Sequence, residues 1–350
     1  MPKPIVINGR ELSAKYAPYI IAEVSANHNG SIERAKQTIL AAKKAGAHAV
    51  KIQSYTPDTM TIQSDAPDFC LTEGIWKGRT LYDLYAEAYT PFEWHPELFA
   101  FAKSHQITLF SSPFDESAVD LLASLEAPAY KVASFELVDL PLIAYMAKQG
   151  KPILMSTGMA SLQEIGEAIE TARTNGCNEI AIFHCVSSYP APLEQANLRS
   201  ITALRDEFDV QVGLSDHTLG TTASVAATVL GASLIEKHFT LNRADGGVDS
   251  SFSLEPSEMQ SLVENCKGAF DALGVVNLER PESEGDNRDY RRSLYFVNDI
   301  KTGSTIGKND VRRIRPGMGL APKYYDCILG SVAKRDIKRG DRVTISDLNE

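Results

Sequence analysis

The stretch Val210-Gln211-Val212-Gly213-Leu214-Ser215-Asp216-His217 is answered downstream by Ser233-Leu234-Ile235-Glu236-Lys237-His238. Each is a short apolar run that closes on a charged triplet ending in histidine. Each run reads as a β-strand, where residues two apart point the same way. Ser215 and His217 therefore share one face, and Glu236 and His238 share another. The intervening Leu219–Leu230 has helical periodicity, so the three pieces form a β-α-β unit with parallel strands. Two histidines closing neighbouring strands are placed to hold one divalent metal ion.

Outward from this unit the same alternation continues. Strand-like runs read Tyr19–Ser25, Ala49–Tyr55, Thr108–Pro113, Tyr130–Ser134, Ile153–Thr157, Ile180–Val186, Val210–Ser215 and Ser233–Phe239. Helical patterns mark Ile32–Ala45, Pro91–His105, Ser117–Leu125, Pro141–Lys148, Leu162–Asn175, Leu198–Phe208, Leu219–Leu230 and Pro256–Leu273. Ser31 ahead of Glu33-Arg34 suits a helix start, and Pro91 suits a first turn. Eight β-α units in succession argue for an α/β protein, and eight is the number that closes a (β/α)8 TIM barrel. An open doubly wound sheet is the competing architecture. It would usually bring a Gly-rich nucleotide loop, and none follows the first strand.

After Leu273 the pattern stops. Asn277 to Arg291 is polar and charged and reads as a linker. Beyond it, Ser293–Val297, Asp310–Ile314, Val332–Ala333 and Arg342–Ile345 are short strand-like pieces broken by Gly and Pro. The expected division is a barrel over 1–276, a linker over 277–291 and a small β-rich module over 292–350. A module of about 60 residues is marginal in independent stability.

Hydrophobic residues are 43% of the 350, enough for a core and too many for disorder. Residues 1–13 alternate polar and apolar, unlike a signal peptide, and the apolar-rich 223–235 is too short and too polar to span a bilayer. Cys70, Cys177, Cys185, Cys266 and Cys327 are scattered without a C-x-x-C. That pattern fits a reduced cytoplasmic protein and excludes a cysteine-built metal site. Net charge is −10, unevenly spread: residues 290–350 hold 13 basic and 7 acidic side chains, a balance of +6 against −16 elsewhere. Such asymmetry suggests a basic module that docks on an acidic body or covers an anionic ligand. Nucleic acid is the competing partner, but the segment has neither a basic run nor an RNA-binding aromatic motif.

In a barrel of this kind the active site lies at the C-terminal strand ends. Those ends offer Glu23 with Asn27-His28-Asn29, Lys51 and Gln53, Ser111-Ser112, and Lys131 with Ser134 and Glu136. Ser156-Thr157-Gly158, His184-Cys185 and Ser187-Ser188-Tyr189-Pro190 follow. Buried charge is costly unless paired or used, so polar groups at every strand end point to an active site. Lys51 and Lys131 with the serine hydroxyls make a nest for a phosphate and a carboxylate. Either lysine alone reads equally well as the partner of a neighbouring glutamate. A Schiff-base role for Lys131 or Lys237 is a third option, although such an aldolase needs no metal pair. Two imidazoles, His217 and His238, with carboxylates nearby suit an open site for manganese, or else magnesium or cobalt, better than structural zinc. His28 and His184 are lesser candidates, and His48, His95 and His105 are expected at helix ends or on the surface. Arg312-Arg313-Ile314-Arg315-Pro316-Gly317 reads either as a solvated loop or as a rigid turn that presents Arg315 to an acyl or anionic group.

Ile20-Ile21-Ala22-Glu23, Asn27-His28-Asn29-Gly30, Val50-Lys51-Ile52-Gln53, Ser156-Thr157-Gly158-Met159, Gly213-Leu214-Ser215-Asp216-His217 and Ile235-Glu236-Lys237-His238-Phe239-Thr240 resemble the sialic acid synthase family. Ile314-Arg315-Pro316-Gly317 resembles that family's antifreeze-like (SAF) domain. The motifs keep the family's order along nearly the whole chain. Gly78-Arg79-Thr80-Leu81-Tyr82-Asp83-Leu84-Tyr85, Phe110-Ser111-Ser112-Pro113-Phe114-Asp115, Ala133-Ser134-Phe135-Glu136 and His184-Cys185-Val186-Ser187-Ser188-Tyr189-Pro190 are similar to its pseudaminic acid branch. Neuraminate-forming members usually have Asn where Ser187 stands.

The resemblance implies condensation of phosphoenolpyruvate with an open-chain acylamino sugar, 2,4-diacetamido-2,4,6-trideoxy-altrose for this branch. It implies a metal on His217 and His238, and phosphoenolpyruvate held by Lys51, Lys131, Ser134, Ser156, Ser187 and Ser215, with Gln53 near its carboxylate. It further implies Glu23 as acid/base, with Glu136 and Glu236 in support, and Tyr189 and Asp249 on the sugar. A domain-swapped homodimer, in which Arg315 acts across subunits on an N-acetyl group, is implied too. N-acetylneuraminate or legionaminate synthesis on the same scaffold is the near alternative. A Schiff-base aldolase and a non-catalytic carbohydrate- or ice-binding protein are the distant ones.

Overall fold

In the computed structural model, which describes residues 2–279 and 281–347, eight parallel strands close into a barrel. A hairpin precedes them, formed by β1 (Ile5–Ile7) and β2 (Arg10–Leu12). The barrel strands are β3 (Tyr19–Glu23), β4 (Ala49–Ser54), β5 (Thr108–Pro113), β6 (Tyr130–Val132), β7 (Ile153–Ser156), β8 (Ile180–Cys185), β9 (Gln211–Asp216) and β10 (Leu234–His238). Each runs beside its predecessor, and β10 returns to pair with β3. The expected TIM barrel is thus present, with strand ends displaced by a residue or two. At β3 the cause is local: Ser25 takes φ +45° and opens a 3-10 turn over Ser25–His28.

Helices α1 (Ile32–Lys44), α2 (Pro57–Met60), α3 (Leu81–Ala88), α4 (His95–Ser104), α5 (Glu116–Ser124), α6 (Leu140–Ala147), α7 (Leu162–Thr174), α8 (Ser200–Phe208), α9 (Thr222–Val229) and α10 (Pro256–Leu273) occupy the connections. Ser31 caps α1 by accepting the Arg34 N–H. The helix expected from Pro91 begins at His95, because Phe92–Trp94 form a 3-10 turn first. The sequence reading placed no helix at α2 or α3. No helix among the described residues is long and apolar enough to cross a membrane.

Alternate strand residues separate into two layers. Ile20, Ala22, Val50, Ile52, Leu109, Val132 and Met155 pack outward with the helices. Tyr19, Ile21, Ala49, Phe110, Ala129, Leu154, Ala181, Phe183 and Leu234 form a second cluster with Ile5, Ile7 and Leu12 of the hairpin. Gln211 donates to the carbonyls of Pro2 and Lys3, and Val6 N–H donates to Glu179, so the hairpin sits at the N-terminal strand ends. It floors the barrel. Burying three such aliphatic side chains stabilises by about 1.5–3 kcal/mol each.

The chain divides into two compact units, residues 1–274 and 275–350. In the second, β11 (Ser293–Phe296) pairs antiparallel with β12 (Val311–Ile314), and α11 (Tyr325–Ile328) follows. Leu294, Phe296, Ile306, Val311, Ile328 and Val343 lead its core. The strands expected at Val332–Ala333 and Arg342–Ile345 are reduced to single bridges, Thr305 to Val332 and Tyr295 to Arg342. The intervening turns leave no length for a ladder. The segment expected as a linker, 277–291, carries 3-10 turns at Glu282–Glu284 and Asp286–Tyr290, and Asp289 O accepts the Gly317 N–H at 2.7 Å. Residues 280 and 348–350, within the expected linker and module, lie outside the described residues.

Candidate active site

The inward layer continues upward from the apolar floor. On β4 Lys51 follows Ala49, on β6 Lys131 follows Ala129, and on β7 Ser156 follows Leu154, each two residues on. Glu236 and Ser215 are register partners on β10 and β9, so the two pairs read as lying on separate faces share one, the barrel interior.

Four buried charges meet there. Lys51 Nζ lies 2.9 Å from Glu23 Oε2 and 3.5 Å from Glu236 Oε1, and Lys131 Nζ lies 3.8 Å from Glu236. Lys51 also donates to Ser112 Oγ at 3.2 Å, and Lys131 to Ser156 Oγ at 2.6 Å. The ion-pair reading of the lysines holds, and both also sit among hydroxyls. Burial lifts the Glu23 carboxyl to about 7 in spite of Lys51. Burial pushes Glu236 the same way, but Lys131 and Lys51 outweigh it and hold that carboxyl below its ordinary value. Burial lowers the pKa of Lys131. Glu23 Oε2 is met by Lys51 alone, and Glu236 Oε2 is buried without a hydrogen-bond partner. A buried acceptor of this kind is free to receive a donor from a ligand.

A second group lines the β6–β8 side. Gly158 N–H donates to Ser134 Oγ at 3.2 Å, and Ser134 donates to Cys185 Sγ at 3.4 Å. A Cβ on Gly158 would strike Ser187 Oγ and come within 2.8 Å of Ser134 Oγ, so glycine lets both hydroxyls converge. Ser134, Ser156, Ser187 and Lys131 therefore form one donor-rich cradle. Glu136 lies in the turn after β6 with Oε2 unpartnered, and burial lifts its carboxyl to about 7.

His217 and His238 stand side by side, ring centroids 5.4 Å apart. His217 Nδ1 is 3.0 Å from Val186 O and 3.8 Å from Cys185 Sγ. The shorter contact is to a carbonyl, which only accepts, so Nδ1 carries a proton, and Nε2 is the nitrogen turned to other partners. His238 Nδ1 is buried without a partner, and burial followed by the charge of His217 holds its pKa well below the ordinary value. Two such imidazoles fit a divalent ion. Among the described residues no three His, Cys, Asp or Glu side chains gather to complete a shell. The fit is to an open site, whose remaining positions fall to water or substrate oxygens. The Tyr189 ring lies 4.4 Å from His217, tilted by 47°, and Phe252 lies 5.0 Å from His238. Trp76 reaches Tyr189 at 6.0 Å.

Toward the rim, Gln53 donates to Glu23 Oε1 at 3.2 Å and to Ser25 Oγ at 3.0 Å, and Ser25 donates to Asp249 Oδ2 at 2.5 Å. Several candidates fall elsewhere. His184 is on the outward face of β8, bonded to Ala196 O at 2.7 Å, because it is one residue out of step with Cys185. Lys237 likewise points outward and pairs with Asp216 at 2.9 Å, so it faces no substrate. His28 packs edge-on to Trp94. Of the histidines assigned to helix ends or the surface, His95 is buried at a helix start and bonded to Ser54 at 2.7 Å. Arg315 is exposed in the second unit, ahead of a turn where Ser293 Oγ donates to Pro316 O at 2.6 Å. The sequence reading missed Ser25, Trp76 and Phe252, and gave Ser112 no role. Ser112 was findable, since it is two residues from inward-facing Phe110. The other three come from loops, where no periodicity points.

A floored (β/α)8 barrel whose mouth gathers two lysines, hydroxyls and a histidine pair is an anion-handling enzyme of the TIM-barrel class. The chain belongs to the NeuB family, whose model matches residues 38–277, and a SAF domain matches 291–349. It is 44% identical to the pseudaminic acid synthase of Campylobacter jejuni, over 94% of this chain and 96% of that protein. It is 42% identical to the pseudaminic acid synthase of Helicobacter pylori, over 95% and 98%. Among solved structures, the N-acetylneuraminic acid synthetase of Leptospira borgpetersenii in complex with citrate superposes with a TM-score of 0.73 at 28% identity, covering 82% of this chain and 95% of that one. The family resemblance read from the motifs is borne out.

Proposed function

We propose that this chain is a pseudaminic acid synthase, which condenses phosphoenolpyruvate with 2,4-diacetamido-2,4,6-trideoxy-altrose to give pseudaminic acid and phosphate. The observation that carries this reading is the inward cradle of Lys51, Lys131, Ser134, Ser156 and Ser187 beside the histidine pair, in a chain aligned almost end to end with such synthases. Lys131 and the hydroxyls of Ser134, Ser156 and Ser187 bind the phosphate. Lys51, Gln53 and Ser215 orient the carboxylate end. C3 of phosphoenolpyruvate forms the new bond to the aldehyde carbon, whose oxygen takes up a proton. Water adds at C2 and gives up a proton, and phosphate leaves as its C2–O bond breaks. Glu23, with its carboxyl at about 7, is able to hold or release a proton at neutral pH. Glu236, held ionised, serves as a counter-charge to both lysines, and Glu136 is the alternative proton carrier. Tyr189 and Asp249 contact the sugar. His217 and His238 would hold the divalent ion, for which manganese is proposed; when bound, it polarises the aldehyde as a Lewis acid.

The assignment of Arg315 to an N-acetyl group and the domain-swapped homodimer rest on family resemblance. Subunit exchange between Arg315→Ala and His217→Ala chains tests both, and recovery of activity is the expected result. The five free thiols suit a cytoplasmic enzyme. The deciding experiment for the reaction is phosphate release from phosphoenolpyruvate across a panel of sugars. The diacetamido altrose should give the highest kcat/KM. A preference for N-acetylmannosamine or for the legionaminate precursor would reassign the branch. Of the two Schiff-base candidates Lys237 faces away from the mouth, which leaves Lys131 for an aldolase, and borohydride trapping would expose it.

A further inference from the structure

The loop after β3 has an uncommon backbone. Ser25 takes φ +45°, a left-handed region that serine seldom occupies. Glycine would take this conformation without strain, so the hydroxyl is present in spite of the local geometry. The side chain is buried, 4% exposed, between two groups of the mouth. Gln53 Nε2 approaches its oxygen at 3.0 Å and Asp249 Oδ2 at 2.5 Å. The directions of these bonds are fixed by chemistry. Gln53 Nε2 also lies 3.2 Å from a Glu23 carboxylate oxygen, so that end of the amide is the donor. The amide then occupies a lone pair of Ser25, and the one serine proton goes to Asp249. The other contact to Asp249 Oδ2 is the Ala26 N–H, at a long 3.5 Å. Glu23, Gln53, Ser25 and Asp249 are joined in one continuous run that ties the loop after β3 to the loop after β10. Nearby, Asn29 donates to Gly246 O at 3.0 Å across the same two loops.

We infer that Ser25 is a positioning residue: its hydroxyl fixes the Asp249 carboxylate at the barrel mouth and registers it against the Gln53–Glu23 pair. A sugar hydroxyl or amide held by Asp249 is thereby aligned with the acid/base end of the site. This inference rests on the proposed synthase reading, in which Asp249 contacts the sugar.

Ser25→Gly is the informative variant, because it removes the hydroxyl and relaxes the backbone. Tm should be no lower than in the wild type. KM for the sugar should rise on the order of tenfold, the worth of one charge-assisted hydrogen bond. KM for phosphoenolpyruvate should rise less than KM for the sugar, since Gln53, placed at the carboxylate end, keeps its bond to Glu23 and no bond of this run reaches the phosphate cradle. In an Asp249→Ala background the same change should add no further loss. An unchanged sugar KM, or an equal loss in both backgrounds, overturns the inference. A lowered Tm with equal rises in both KM values does so too, by making Ser25 merely structural. Carbon-13 NMR titration of the Asp249 carboxyl gives a readout that needs no turnover. Loss of the donor should raise its pKa by about one unit, and no change overturns the inference even if the sugar panel reassigns the reaction.

Discussion

At Gly158 the absence of a side chain matters more than any hydroxyl around it. A methyl there would displace Ser187 Oγ and crowd Ser134 Oγ, so Gly158→Ala should raise KM for phosphoenolpyruvate on the order of tenfold while Tm moves by only a few degrees. Initial rates with each substrate varied check this. Lys51 is a costly position, because it faces two buried carboxylates. Lys51→Met should destabilise the chain by about 3–5 kcal/mol in urea unfolding, the penalty for leaving a buried charge unpaired. Glu136 sets a pH dependence of the opposite sense to most carboxylates. Its folded pKa is lifted by burial from its ordinary 4.5 to about 7, so between those values the folded chain keeps a proton that the unfolded chain has lost. Its contribution is fully present below 4.5 and is gone above about 7. Glu136→Gln should therefore be more stable than the wild type at pH 8, by on the order of 1–3 kcal/mol, with the gap closing by pH 5. Thermal unfolding at the two pH values reads it. Lys51, Lys131, Ser215 and Glu236 were legible in sequence because period two fixes which side chains share a face. Ser25 and Asp249 are joined across the loops after β3 and β10, and only the closed ring shows that those loops are neighbours.

The elements themselves were legible almost throughout, since an eightfold alternation of buried strand and amphipathic helix leaves few other solutions. The exceptions are informative. Helix α3 was passed over although Thr80 caps it through the Asp83 N–H, because it lies in a long excursion between β4 and β5 where a barrel reading expects one helix. The charged residues between the catalytic pairs find their use on the outer face of β9 and β10. Asp216 and Lys237, each about 1% exposed, pair at 2.9 Å, and Asp216 also accepts from Thr218 N–H, Thr218 Oγ1 and Ser224 Oγ. The bond clamps the two strands that carry His217 and His238 on their opposite faces. Lys237→Met should cost about 3–5 kcal/mol of stability, because Asp216 stays buried without its counter-charge. A loss under about 1 kcal/mol in denaturant titration would show that the hydrogen bonds of Asp216 suffice alone.

At the level of the whole chain, two units with separate cores set the expectation for dissection. A chain ending at residue 276 should unfold cooperatively, because its two clusters close within the first unit, whereas 277–350 alone should be marginal with its small core. Circular dichroism melts of both pieces check this. The second unit was the less legible half, since its strands are short and its pairing rests on isolated bridges between turns. In the first unit, the hairpin closes the lower end of the barrel, so the described residues leave the upper end as the way in. Lys51 and Lys131 stand one step above that floor, while Tyr189 and Asp249 belong to loops at the lip. Traffic should then be last in, first out: phosphoenolpyruvate is expected to arrive before the sugar, and a sugar that arrives first should act as a cork. Excess sugar should slow the enzyme, and added phosphoenolpyruvate should relieve the blockage.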